Sequence, residues 1–242
     1  MASIKVLSGG APKEVFLHLS PAFERQSGHK VDFTFAVLSV LRDRIAAGEK
    51  ADVLVQPTDV LDENVKSGVA RAEHRAVLGL VSINAVVLTG APLPDLSTPD
   101  AVKRTMLDSR AIALATPGVT PSGTHMAKVI DQLGIAEPMK DKVIHRPALQ
   151  GGVQLVAAGE AEIGFYPKSE VINIEGLTLA GPLPPAIQLT TIYGAAIAAS
   201  SAVPEAAAAF IAFMADPKIW DVWAKAGFDP PAGAATAGRT TG

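Results

Sequence analysis

Short turns that follow the predicted strands hold the residues best suited to chemistry. In an open α/β sheet, a ligand binds beyond the carboxyl ends of the strands, where the amides at helix N-termini can face an anion. The sequence places Gly, Ser and Thr in several such turns, which predicts an anion site. The predicted ligand contacts are Ser8, Gly9, Val37, Leu38, Ser39, Gln56, Thr120, Ser122, Gly123, Gln150, Gly151 and Lys168.

The turn that begins at Thr120 is the most informative of these. Thr120 suits the N-cap of a helix and Pro121 suits its first position, which predicts free amides at Ser122 and Gly123. Those amides, the Ser122 hydroxyl and the positive end of the helix dipole would together favour an anion. The segment Gln150-Gly151 offers the same arrangement at a second helix, because glycine lets a ligand approach the backbone closely. The alternative for each turn is a purely structural role, since most α/β proteins have Gly or Ser in such turns.

Two side chains in these turns add charge or a mobile proton. Lys168 follows a predicted strand and could place a full positive charge beside a carboxylate, or it could be a solvated loop lysine. His125 lies in the first turn of its predicted helix and could donate to an anion or carry a proton. An ordinary surface histidine is the alternative for that position.

Composition excludes several classes of function. The net charge of −3 disfavours a nucleic acid or an anionic lipid as partner, and the absence of cysteine excludes disulfides, thiolate metal sites and cysteine nucleophiles. The sequence contains no His-x-x-x-His pair, no Walker loop and no Gly-x-Ser-x-Gly elbow. No apolar run reaches the ~20 residues that span a bilayer. We therefore predict a monomer with a small anionic ligand, without metal, cofactor, nucleic acid or membrane insertion.

Two long strand-like runs predict how these elements are organised. Short branched runs alternate with amphipathic segments, which is typical of βα units on a mainly parallel sheet. The runs at 78–89 and 187–198 are about twice the usual strand length, so each can pass from one lobe to another. This predicts two mainly parallel sheets flanked by helices and joined by two crossing strands, with one doubly wound sheet as the alternative. The predicted lobes are 1–80 plus 195–231 and 81–194, with a flexible tail at 232–242.

Several segments resemble the molybdate-type periplasmic solute-binding proteins of ABC importers, from residue 4 to about residue 230. They are LHLSPAFE at 17–24, GHKV at 28–31, LRDRIAAG at 41–48, ADV at 51–53, AK at 127–128, LGI at 133–135 and LVAAGEAEIG at 155–164. The resemblance implies a two-lobed type II periplasmic-binding-protein fold that closes on its ligand between the lobes. It also implies an importer membrane component as partner. The chain starts without a signal peptide, so we expect a periplasmic protein if a leader was removed and a cytoplasmic one otherwise.

The predicted ligand positions depart from the molybdate pattern. That family usually follows its second strand with Gly-Ser-Ser-Gly, whereas this chain has Ala36-Val37-Leu38-Ser39. The tyrosine of the family aligns with Pro167, beside Tyr166. Apolar side chains beside helix amides and Lys168 suit a small organic polyacid better than a tetrahedral oxyanion, and binding of such an acid is our first hypothesis.

Two alternatives remain open. One branch of the fold is enzymatic: aconitate isomerases resemble molybdate-type binding proteins and interconvert trans- and cis-aconitate by an allylic proton shift. Helix N-termini and Lys168 would then hold the carboxylates, and His125, Tyr166 or Glu170 would move the proton. The other alternative is a molybdate or tungstate receptor, which predicts tight oxyanion binding despite the missing serines.

Overall fold

The chain divides into two compact units, and the computed structural model describes residues 1–146 and 149–231. Unit 1 is Met1–Leu80 with Thr191–Gly242, and unit 2 is Val81–Thr190. The tail at 232–242, predicted to be flexible, lies outside the described residues, as do the side chains at 149–151.

Strands and helices alternate along the chain, which confirms the predicted α/β class. From residue 3 to 66 the elements are β1 (Ser3–Ser8), α1 (Lys13–Ser27), β2 (Lys30–Phe35), α2 (Leu38–Ala46), β3 (Val53–Pro57) and α3 (Thr58–Lys66). From 76 to 182 they are β4 (Ala76–Leu88), α4 (Pro99–Asp108), β5 (Ile112–Ala115), α5 (Pro121–Gln132), α6 (Ala136–Met139), β6 (Val143–Arg146), α7 (Leu149–Ala157), β7 (Ile163–Pro167), α8 (Lys168–Val171) and β8 (Leu177–Pro182). The remainder forms β9 (Thr190–Ile197), α9 (Pro204–Met214) and α10 (Trp220–Lys225). Within the described ranges, no helix is long and apolar enough to cross a membrane.

Unit 1 is built around three parallel strands. β1 lies between β2 and β3 and runs parallel to both, while β9 pairs antiparallel with β3. An aromatic cluster covers one face, where the Phe16 ring stacks on Phe33 with centroids 5.6 Å apart and meets Trp223 edge-on at 5.9 Å. These rings pack α1 and α10 on the sheet. The carboxyl ends of β1, β2 and β3 therefore form one edge.

Unit 2 has the strand order β8-β4-β7-β5-β6. β5 runs parallel to β6 and β7, and β4 is antiparallel to both β7 and β8. Buried hydrophobic residues such as Val102, Ile112 and Phe165 fill the core on the face covered by α4 and α5. β5, β6 and β7 run in the same direction, so their last residues, Ala115, Arg146 and Pro167, lie at one edge of the sheet. The helices α5, α7 and α8 begin at this edge.

The second long run is shorter than predicted. The sequence predicts a strand over 187–198, but β9 begins only at Thr190 and Pro185–Ile187 forms a 3-10 turn. Two consecutive prolines, Pro184 and Pro185, explain the difference, because proline has a fixed φ and no amide donor for a strand ladder. The Gln188 amide donates to the Pro185 carbonyl and closes the turn.

Candidate functional site

In the turn after β1, the Gly9 amide and the Ser8 hydroxyl already donate hydrogen bonds within the protein. The Gly9 amide donates to the Val55 carbonyl at 2.9 Å, and the predicted contact of Gly9 with a ligand stays a prediction. Pairing with β3 therefore continues one residue beyond β1. The buried Ser8 Oγ donates to the Gly9 carbonyl at 2.8 Å. A Cβ at Gly9 would be in ordinary van der Waals contact with its neighbours, 3.6 Å from the Tyr193 ring and 3.8 Å from Leu38.

The start of α2 combines helix amides with apolar side chains. Val37 is extended at the N-cap and 62% exposed, and no described side chain caps the helix. Leu38 packs against the unit 1 core, whereas Ser39 is exposed. Because the first amides of a helix have no intrahelical acceptor, this edge offers donors beside an apolar surface. That arrangement suits a ligand with both carbon and anionic groups.

Sequence reasoning missed one cation at the unit 1 edge. Lys13 is the first residue of α1, and its Nζ lies 6.0 Å from the ring centroid of Phe35, the last residue of β2. The signal that could have found it is its place directly after the Gly9-Gly10 turn.

Gln56 is placed by a neighbouring helix. Its side chain is 1% exposed, and its Oε1 accepts a hydrogen bond from Asn64 Nδ2 of α3 at 2.7 Å. The carbonyl oxygen is therefore occupied, and the amide nitrogen is the part of the side chain left to donate to a ligand. Its predicted role as a ligand contact stays a prediction.

In unit 2, Thr120 caps α5 as predicted. Pro121 is the first helical residue, and the Thr120 Oγ1 accepts from the Gly123 amide at 3.1 Å. The prediction that the Gly123 amide is free is therefore wrong, because the cap already uses it. The buried Ser122 Oγ lies 3.1 Å from Thr120 Oγ1. Gly123 has a steric role instead, since a Cβ there would lie 2.6 Å from the Ala115 carbonyl oxygen.

His125 connects α5 to the turn before β9. Its Nε2 lies 2.9 Å from the carbonyl oxygen of Ile187. A carbonyl can only accept, so Nε2 donates in this hydrogen bond. The hydrogen bond fixes the ring, and its predicted role in proton transfer stays a prediction.

Tyr166 lies in the core of unit 2. It is 1% exposed, and its hydroxyl has no hydrogen-bond partner among the described residues. A Cβ at Gly152 of α7 would overlap that hydroxyl, and one at Gly164 would lie 2.7 Å from the ring. Burial raises the pKa of Tyr166, with a further increase from the Glu170 charge and an opposing effect of Arg146.

Ionisable groups from α8 and β6 lie at the same edge. Glu170 in α8 is partly buried, and burial raises the pKa of its carboxyl group to about 7. Lys168 is the first residue of that helix. Arg146 ends β6 and donates from Nη1 to the His145 carbonyl at 3.1 Å. Sequence reasoning missed Arg146, although its place at the end of a parallel strand was a usable signal.

The start of α7 is described by its backbone. Gln150 and Gly151 lie in its first turn, so their amides have the position that the prediction requires. Ligand contacts by these residues stay a prediction, as does one cleft shared by the two edges. In the part of the chain that the structure describes, no group of three or more His, Asp or Glu residues could hold a metal ion.

Comparison with known proteins identifies the family. The profile of the family described as bacterial extracellular solute-binding protein matches residues 4–229. An aconitate isomerase from Pseudomonas sp is 30% identical over 221 residues, covering 89% of this chain and 83% of that protein. The molybdate-binding protein ModA of Azotobacter vinelandii is 27% identical over 161 residues, covering 66% of this chain and 62% of that protein.

A solved structure confirms the predicted fold. The substrate-binding domain of a molybdenum ABC transporter from Clostridium difficile superposes with a TM-score of 0.82 at 13% identity, covering 95% of this chain and 99% of that chain. The resemblance to molybdate-type binding proteins inferred from sequence segments is also confirmed. The chain belongs to the bacterial extracellular solute-binding protein family.

Proposed function

We propose that the protein is a solute-binding protein for a small organic polyacid. The observation that carries this proposal is the mixed composition of the two carboxyl edges. The edge of unit 2 holds the cationic side chains of Arg146 and Lys168. The edge of unit 1 holds Lys13 at the start of α1 and the exposed Val37 at the uncapped start of α2. Cations pair strongly with carboxylates, and an apolar surface suits a carbon skeleton.

The family supports a proposal about place and partner. Its description as extracellular favours action in the periplasm, with the membrane component of an ABC importer as the partner. The protein from Clostridium difficile is named as part of such a transporter.

A thermal-shift screen tests the binding proposal. We expect trans-aconitate, cis-aconitate or citrate to raise the unfolding midpoint, because a ligand at ~100 times its Kd stabilises by ~2.7 kcal/mol. For a chain of this size that corresponds to roughly 5–10 °C. Molybdate, tungstate and sulfate serve as controls at equal concentration. Sub-micromolar binding of molybdate in calorimetry, with no effect of any polycarboxylate, would instead support the oxyanion receptor.

A second candidate is isomerisation of aconitate. It is favoured by the 30% identical aconitate isomerase and by Glu170, whose pKa of about 7 suits a group that both takes and returns a proton. In that reaction a proton leaves the methylene carbon, the double bond shifts, and a proton returns to the former vinylic carbon. Arg146 and Lys168 would stabilise the enolate-like charge that develops on the adjacent carboxylate.

Incubation with pure trans- or cis-aconitate tests this candidate. We expect both to reach the same ratio of isomers, and Glu170→Gln to lower turnover by ~10²–10⁴-fold while binding survives. Glu175→Gln, an exposed position after α8, is the matched control and should keep full turnover. Tight binding of aconitate without any isomer formed would leave the receptor function alone.

A further inference from the structure

The turn that joins β7 to α8 contains hydrogen-bonding groups that the described protein does not use. We propose that one carboxylate of the ligand binds at this β7–α8 turn (residues 166–170), where it shares a proton with the Glu170 carboxyl group, so that binding takes up a proton from solution. The inference rests on the proposed polyacid function. It adds a specific subsite and a measurable coupling to pH.

Two orphan hydroxyl groups support a subsite here. Tyr166 Oη and Ser169 Oγ are both inaccessible to solvent, and neither has a hydrogen-bond partner among the described residues. A buried polar group without a partner is rare in folded proteins and calls for an explanation such as a missing ligand. Tyr166 is held in this position by contact with Gly152 and Gly164, which leave space for its ring and hydroxyl. Both hydroxyls can donate to a carboxylate oxygen.

Glu170 supplies the shared proton. It follows Ser169 directly and is partly exposed, so the subsite reaches solvent on the Glu170 side. Two neighbouring carboxylates cannot both ionise without repulsion, and a proton held between them removes that cost. A carboxylate that binds here therefore favours the protonated form of Glu170. Sulfate, a much weaker base than a carboxylate, gains less from such a proton.

The surrounding charges permit an anion at this turn. Arg146 at the end of β6 and Lys168 on α8 are cationic, and Tyr166 is the remaining ionisable group at the end of β7. The sequences of α7 and β4, which pack against Tyr166 and β7, contain no ionisable residue. Two cations thus offset the charge of the ligand, and Glu170 is the acidic group of the turn that can exchange a proton.

The direction of the pH effect follows from the free protein. Burial raises the pKa of Glu170 to about 7, so the carboxyl group is protonated below that pH and ionised above it. Below pH 6 a carboxylate ligand finds the proton already in place, and this group adds no pH dependence. Above pH 7 binding must first recover the proton. The Kd is therefore expected to rise by up to about tenfold per pH unit until the pKa of the bound state is reached.

Calorimetry of trans-aconitate binding measures the coupling. At pH 8, titrations in two buffers with different ionisation enthalpies should reveal uptake of nearly one proton per ligand, and at pH 6 nearly none. Glu170→Gln should abolish the uptake and make the Kd independent of pH, because the amide still donates but exchanges no proton. Tyr166→Phe should weaken binding several-fold while the uptake persists. Glu175→Gln should behave as the unchanged protein.

The outcomes separate this inference from the function on which it rests. If no polycarboxylate binds at any pH, the proposed function fails and the subsite with it. If trans-aconitate binds with equal Kd at pH 6.5 and 8.5, or if proton uptake persists in Glu170→Gln, the subsite is refuted and the polyacid function stands. Thermal unfolding of each variant without ligand establishes that it is folded.

Discussion

Replacing Gly123 with alanine is expected to destabilise unit 2 by about 3 kcal/mol and to abolish ligand binding. The added Cβ would lie 2.6 Å from the Ala115 carbonyl oxygen and 2.7 Å from that of Thr116. Both are backbone atoms at the end of β5, so neither can rotate away as a side chain would. The start of α5 must move, and the Thr120 cap that depends on the Gly123 amide moves with it.

Urea unfolding followed by circular dichroism measures this effect, because both tryptophans lie in unit 1 and would not report on α5. Gly10→Ala is the matched control, since nothing lies within 4 Å of its Cβ position. The control should change stability by no more than about 0.5–1 kcal/mol. Equal midpoints for the two variants would show that α5 does not rest on β5 in this way.

The order of strands and helices was predictable because burial imposes periodicity. Branched residues fill the buried strands of both units, and amphipathic segments separate these strands. The alternation of strands and helices can therefore be recognised from the pattern of hydrophobic residues. The cap at Thr120 was predictable for a local reason as well. Threonine followed by proline satisfies the geometry at the start of a helix, whatever lies further along the chain.

Which donors remain available was not predictable, because it depends on distant partners. The Gly9 amide is used by Val55 of another strand, and no local pattern indicates that pairing continues past Ser8. Tyr166 is a related case. Alternation along β7 places it on the same face as Gly164, but only the position of Gly152 in α7 decides that its hydroxyl is buried. The positions of the turns could therefore be predicted from the sequence, whereas the hydrogen bonds of individual atoms in them could not.

The second large effect on stability is expected from the loss of a buried carboxylate in unit 1. Asp52 is 9% exposed, and its Oδ2 accepts from the Lys5 amide at 2.8 Å while its Oδ1 accepts from Ser201 Oγ at 2.7 Å. Ser201 Oγ in turn accepts from the Val203 amide at 3.2 Å, just before α9. One carboxylate thus connects the first strand with the segment that leads into the last helices.

Asp52→Ala is expected to lower the free energy of unfolding by about 3 kcal/mol, because two buried donors lose their acceptor at once. Asp52→Asn keeps one carbonyl oxygen and Ser201→Ala removes one of the two bonds, so each should cost about half as much. Urea unfolding followed by tryptophan fluorescence measures the series, since Trp223 is buried in the same unit. If Asp52→Ala costs no more than Ser201→Ala, the Lys5 amide finds another acceptor and the carboxylate is not what connects these segments.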